Sequence, residues 1–203
     1  MHFIIRTLVL IYNLYMCYKV NLSPNETNEM GVDIKDKPYP EGHPNYFGVG
    51  PRIIRGAQIL IMIPFALYQI FNYEQFENIE MCFIVAISLC AGLRLWSYGS
   101  LGRLFTFGLG IRDQHVLVKD GPYMYLTHPS YTGQLGVLFM MWFWMFVYTR
   151  FTVGYILFSF LFIFSLTKLV SRIHIEEKMM SEHFGNEYAE YQKTRYRLIP
   201  FVF

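Results

Sequence analysis

The sequence predicts an all-α, polytopic membrane protein with about five transmembrane helices and a cytosolic amphipathic helix near the carboxyl end. Three observations predict it. Of the 203 residues, 54% are apolar and 19% aromatic, whereas a soluble domain of this size averages about 45 to 50% apolar. Five apolar runs approach the roughly 20 residues that cross about 30 Å of hydrocarbon. Lys and Arg are unevenly shared among the segments between those runs.

The runs cover residues 4–20, 53–71, 79–98, 131–148 and 152–170. The first carries Arg6 and Asn13 and is followed by YKVNLSPNE rather than a small-residue cleavage site, so it is expected to stay as a span. An outside amino terminus leaves only Arg6 and Arg150 outside. It puts Lys19, Lys35, Lys37, Arg52 and Arg55 in the first inner loop, and Arg94, Arg103, Arg112 and Lys119 at the second. Residues 94–133 and 168–203 are then cytosolic.

Residues 21–51 form a polar connector with four prolines, Pro24, Pro38, Pro40 and Pro44, and are expected to be mostly irregular. It holds two glycosylation patterns, Asn21-Leu22-Ser23 and Asn25-Glu26-Thr27, which would stay unmodified on the cytosolic side. After the fifth run, Ile175, Met179, Phe184, Tyr188 and Tyr191 recur every three to five residues, which predicts one amphipathic surface helix ended by Pro200. Cys17, Cys82 and Cys90 lack the close spacing of a zinc site or redox pair. The formal net charge of +2 without a long basic run argues against nucleic acid, and no metal site is expected.

Ionisable groups at membrane level are costly and often functional. Arg94 closes fifteen residues of IEMCFIVAISLCAGL; taken alone, it equally suits a side chain snorkelling to the headgroups. Glu176 and Glu177, beside Arg172 and His174, also suit a solvated helix start. His128 lies in Thr-His-Pro, where Pro129 disfavours helical dihedrals, and it can overlook the amino end of the next helix, a natural anion site. Taken alone, an interfacial turn histidine is the simpler account.

HVLVKDGPYMYLTHPSYTG, EEKMMSEHFGNEYAEYQ and the closing LIPF resemble, in order and spacing, the isoprenylcysteine carboxyl methyltransferase family. The resemblance covers about residues 88–202. It implies a methyltransferase core over 88–203, preceded by membrane helices and connector over 1–87. It further implies S-adenosylmethionine held near the cytosolic face, prenylated protein C-termini or prenylcysteine-like lipids as acceptors, and the endoplasmic reticulum as location. By the same resemblance the cofactor site comprises His115, Leu117, Val118, Gly121, Tyr123, His128, Pro129, Tyr131, Gly133, Glu176 and Glu177. Arg94, eight residues before Gly102 and eleven before Phe105, matches the arginine that engages the acceptor carboxylate, and Arg172 matches a second arginine near the reaction centre. Thr127 departs from the family, which usually has arginine before His-Pro.

The residue types suit that chemistry. A carboxylate acceptor, with an unperturbed pKa of about 3.5, is ionised at neutral pH and needs no general base, so catalysis reduces to placement. A planar guanidinium at Arg94 can grip both oxygens. An amine acceptor, as in phospholipid methyltransfer, would be repelled there while protonated. A sterol reductase using a nicotinamide cofactor fits the length and the FGNEYAEYQ segment less well. A noncatalytic membrane adaptor would bind no cofactor.

Overall fold

The computed structural model describes residues 2–20, 34–36, 56, 60, 63–65, 67, 68, 71, 78–105, 110–112, 115–148 and 152–199. Helices carry it: α1 (His2–Lys19), α2 (Asn78–Leu101), α3 (Pro129–Tyr148), α4 (Thr152–Phe184) and α5 (Asn186–Lys193). Short 3-10 turns at Gly102–Leu104 and Gly121–Met124 join them to the intervening segments. The described positions between 56 and 71 are helical, and the rest of that expected span lies outside the described residues.

In α2, Phe83, Ile87, Ala91, Arg94 and Tyr98 follow one another at three or four residues, and all are buried. That spacing puts them on one stripe of the helix. The stripe faces α3, which returns Val137, Met141, Trp144 and Met145 to the same core, joined by Leu10 of α1 and Phe158 of α4. The rings of Phe83 and Trp144 stack at 5.8 Å between centroids, and Phe65 meets Trp144 edge-on at 6.0 Å. Nearer the α3 amino end, Gly133 and Gly136 allow close approach: a Cβ on Gly133 would lie 2.6 Å from the Cys90 carbonyl oxygen, and one on Gly136 2.4 Å from Cys90 Sγ. Small residues at a helix contact are how apolar helices gain dispersion contacts when lipid offers no hydrophobic drive.

Several expectations change. Among the described residues two helices, Ile79–Leu104 and Val153–Phe184, are long and apolar enough to cross a membrane by length and composition; most of the expected 53–71 span lies outside the described residues. In α1 the apolar part is shorter, Thr7–Met16, and α3 opens with polar residues. The expected amphipathic helix is not a separate element. α4 runs unbroken for 33 residues through the fifth run and both glutamates, because nothing between Val170 and Phe184 interrupts helical geometry. The break falls at Gly185, whose φ of +53° suits glycine, and α5 ends at Lys193 with Thr194 as its cap, ahead of Pro200. Within the connector, Ile34–Asp36 pairs antiparallel with Ile111–Arg112 in a minimal ladder, a small exception to the all-helical expectation. The remainder of the connector, including both glycosylation patterns, and Pro200 lie outside the described residues. Among the described residues Cys82 and Cys90 are free thiols.

Candidate active site

The site is built where the 121–128 turn, the amino end of α3, the polar half of α4 and the closing segment 194–199 meet. Gly121 has a φ of +60°, and a Cβ there would come within 2.5 Å of Ser100 Oγ and 3.2 Å of Trp96 Nε1. The turn therefore lies directly on the end of α2, with Pro122 and Tyr123 buried. Tyr191 of α5 holds it from the other side, its hydroxyl donating to the carbonyl oxygens of Tyr123 (3.0 Å) and Leu126 (3.3 Å). Burial pushes this phenol up to about 12. Arg195 adds Nε to the Tyr123 carbonyl at 3.1 Å and lies over the Tyr191 ring.

The closing segment then pairs with the His-Pro approach. Tyr196 N–H donates to the Tyr125 carbonyl, Thr127 N–H to that of Tyr196 and His128 N–H to that of Arg197, at 3.2, 2.8 and 3.1 Å. Leu126 and Tyr196 form a parallel bridge, and Thr132 Oγ1 donates to the Leu198 carbonyl at 2.6 Å. Buried backbone donors that precede a helix thus find partners. Pro129 opens α3 with no N–H to satisfy, and the His128 carbonyl accepts from Tyr131 and Thr132.

The polar side chains converge in one network. His128, 5% exposed, lies with Nε2 3.0 Å from Glu177 Oε1. The carboxylate can only accept, so Nε2 carries the proton and Nδ1 is left 4.0 Å from Glu176 Oε1. Glu177 is also clamped by Arg197, through Nε to Oε1 at 2.7 Å and Nη2 to Oε2. Tyr131 donates its hydroxyl to Glu176 Oε2 and accepts from Arg172 Nε at 2.7 Å. The glutamates differ in access: the Glu176 side chain is 35% exposed and that of Glu177 14%.

Arg94 is 4% exposed and does not snorkel. Its Nε donates to the Val20 carbonyl at the end of α1 (2.8 Å), and its Nη1 to the Ser130 carbonyl (2.8 Å) and hydroxyl (3.0 Å). Tyr98 donates to the same Val20 oxygen at 2.7 Å, lies under the guanidinium and packs on Phe105, ring centroids 4.1 Å apart.

Of the residues singled out from the sequence, the structure joins His128, Tyr131, Arg172, Glu176 and Glu177 by direct contacts. Arg94 reaches them through Ser130, next to Tyr131. Gly133 lets α2 approach, since its Cβ would lie 2.9 Å from Arg94 N and Cβ. Tyr123 contributes its carbonyl to the turn. The His115 ring lies beside Phe184, its centroid 5.9 Å from that of the phenyl ring. Leu117 and Val118 are half-buried. Sequence reasoning assigns Arg197 no role and counts Tyr191 only as an apolar-face residue; the available signal for Arg197 is its place beside LIPF.

The model of the isoprenylcysteine carboxyl methyltransferase family matches residues 81–182, half of the 203. Similar curated proteins carry the corresponding name. A protein-S-isoprenylcysteine O-methyltransferase of Saccharomyces cerevisiae is 40% identical over 91 residues, covering 44% of this chain and 35% of the yeast protein. One of Tribolium castaneum is 34% identical over 97 residues, 44% of this chain and 30% of its own. A probable one of Oryza sativa subsp. indica is 30% identical over 122 residues, covering 59% of this chain and 60% of the rice protein. The chain thus spans about a third of the yeast and beetle relatives and under two thirds of the rice one. The matched segment contains Arg94, the His-Pro turn and both glutamates, and on that match the chain belongs to the isoprenylcysteine carboxyl methyltransferase family.

Proposed function

We propose that the chain transfers a methyl group from S-adenosylmethionine to the C-terminal carboxylate of a prenylated cysteine, at the cytosolic face of the endoplasmic reticulum membrane. The observation that carries this reading is the meeting of Glu176 and Arg172 on the Tyr131 hydroxyl, with Arg94 on the neighbouring Ser130, around the amino end of α3 and inside the segment that matches the family. The residues fit the donor. Glu176 has exposed carboxylate surface for an ammonium group, to which His128 Nδ1 adds a second acceptor, while the α3 amino end suits a carboxylate. Glu177, already shared by Arg197 and His128, serves to hold the imidazole rather than to meet ligand.

When bound, S-adenosylmethionine supplies an electrophilic methyl group on its sulfonium. The protein's work is positional. The ionised acceptor carboxylate needs no base, so the arginines have only to bring one oxygen to about 3 Å from the methyl, in line with the departing sulfur. Because two sides of Arg94 are committed to Val20 and Ser130, it offers the acceptor one edge through Nη2. That orients one oxygen without neutralising the nucleophile. Arg172, held at Nε by Tyr131, supplies the second cation.

The membrane reading extends to five spans with the amino terminus outside. It is supported by the two long apolar helices and by the exposed Val153, Ile156, Leu157, Phe160 and Ile163 of α4, which suit lipid contact. Residues 88–203 serve as the methyltransferase core, preceded by membrane helices and connector over 1–87. His115, Leu117, Val118, Gly121, Tyr123, Pro129 and Gly133 complete the proposed donor pocket.

The test is transfer of labelled methyl from S-adenosylmethionine to farnesylcysteine and geranylgeranylcysteine analogues and to phosphatidylethanolamine. Labelling of either prenylcysteine, abolished by blocking its carboxylate, is the expected result. Labelling of phosphatidylethanolamine alone would make this a lipid methyltransferase, and absence of donor binding would make it an adaptor.

A further inference from the structure

Glu177 is the more enclosed of the two glutamates, and its carboxylate is shared between two donors that arrive from different directions. One is His128, directly before α3. The other is Arg197, thirteen residues beyond Phe184, the last residue of the helix that carries Glu177. Arg197 grips both carboxylate oxygens. A two-pronged guanidinium contact fixes the carboxylate plane as well as its position, which a single donor cannot do. The backbone of the same residue is fixed too, because its carbonyl accepts from His128 N–H at 3.1 Å. Arg197 therefore touches His128 twice, through its own carbonyl and through Glu177. Thr127, beside His128, is 7% exposed and carries no charge, so the immediate approach to the histidine brings no cation of its own to Glu177.

We infer that Arg197 is a positioning residue of the methyl-donor site. The closing segment 194–199 pairs with residues 125–128 and brings the guanidinium onto Glu177, which holds the His128 imidazole with Nε2 protonated and Nδ1 toward Glu176. Arg197 itself needs no contact with donor or acceptor. The inference rests on the proposed reading of His128 and Glu176 as donor-binding groups, and it extends the functional unit past residue 182, where the family match ends.

The experiment compares wild type, Arg197→Leu, Arg197→Lys, Glu177→Gln and Arg197→Leu/Glu177→Gln as full chains in detergent or lipid discs. S-adenosylmethionine binding is measured by calorimetry, and unfolding of the unloaded protein is measured alongside. Arg197→Leu is expected to weaken donor binding about tenfold or more, the scale of a lost charge-assisted contact. Arg197→Lys, which keeps charge without the fork, should fall between it and wild type. The double variant should bind within about twofold of Glu177→Gln alone, and the two substitutions should be equally non-additive in unfolding. Thr132→Val removes a different anchor of the same segment, the bond to the Leu198 carbonyl. It should spare donor affinity; a loss equal to that of Arg197→Leu would mean that only attachment of the segment matters and would overturn the inference. Unchanged affinity in folded Arg197→Leu, or additive losses in the double variant, would do the same. If Arg197→Leu does not fold, Arg197→Lys and Glu177→Gln decide, and wild-type affinity in both overturns the inference. Failure of the wild type to bind S-adenosylmethionine would instead remove the functional reading, and this role with it.

Discussion

Arg94 shows how one side chain serves two ends. A guanidinium buried beside apolar rings is tolerable only with its donors satisfied, and Val20, Ser130 and the Tyr98 face satisfy most of them. The same contacts tie the end of α1 to α2 and α3. Arg94→Lys keeps the charge but reaches fewer of these acceptors, and its ammonium lacks the fork. Methyl transfer at saturating donor is expected to fall about ten- to thousandfold, at 1.4 kcal/mol per factor of ten. Donor binding, read by calorimetry on the folded variant, should persist. Near-wild-type turnover in Arg94→Lys would leave Arg94 a purely structural staple.

At the scale of elements, the site depends on how closely α2 and α3 approach and on the length of α4. Arg172 and Glu176 are one turn apart on α4, so both meet Tyr131, while Glu177 is turned toward His128 and Arg197. Had α4 ended with its apolar run, these residues would have had no rigid mounting. The α2–α3 approach rests on Gly133, where a methyl group would meet backbone of Cys90 and Arg94 rather than a yielding side chain. Gly133→Ala is therefore expected to destabilise by about 1–3 kcal/mol and to lower donor affinity and transfer together. The control is Gly99→Ala on the exposed face of α2, where a Cβ meets nothing within 4 Å. It should be neutral or stabilising by up to about 1 kcal/mol. Denaturant unfolding of both variants in detergent makes the comparison, and an equal response would show that the glycine contact is unimportant.

At the scale of the whole molecule, the question is which side of the membrane the site faces. In the proposed topology, which rests on the uneven placement of Lys and Arg, the connector and the site share the cytosolic side. Asn21 and Asn25 head glycosylation patterns in that connector and act as internal reporters. Synthesis in the presence of microsomes should give a protein whose mobility is unaffected by endoglycosidase. A sensitive shift abolished by Asn25→Gln would place the connector in the lumen and reverse the orientation or remove the first span.

The sequence by itself determined the helical class, the apolar runs and the identity of the polar residues at one end of the molecule. Periodicity and composition are local, and His-Pro, Glu-Glu and LIPF are legible wherever the chain takes them. Arg94 stayed open between snorkelling and burial, because a helix as apolar as α2 does not announce which stripe faces α3. Tertiary structure decided the rest. Whether α4 continues past Val170 depends on what its polar half packs against, because Glu176 and Glu177 suit a helix start as well as a helix interior. Which glutamate remains accessible depends on Arg197, twenty residues away in sequence and adjacent only because segment 194–199 folds back beside residues 125–128. A contact that needs two separate backbones to pair has no local periodicity to announce it, so Arg197 stood in the sequence as one positive charge among several.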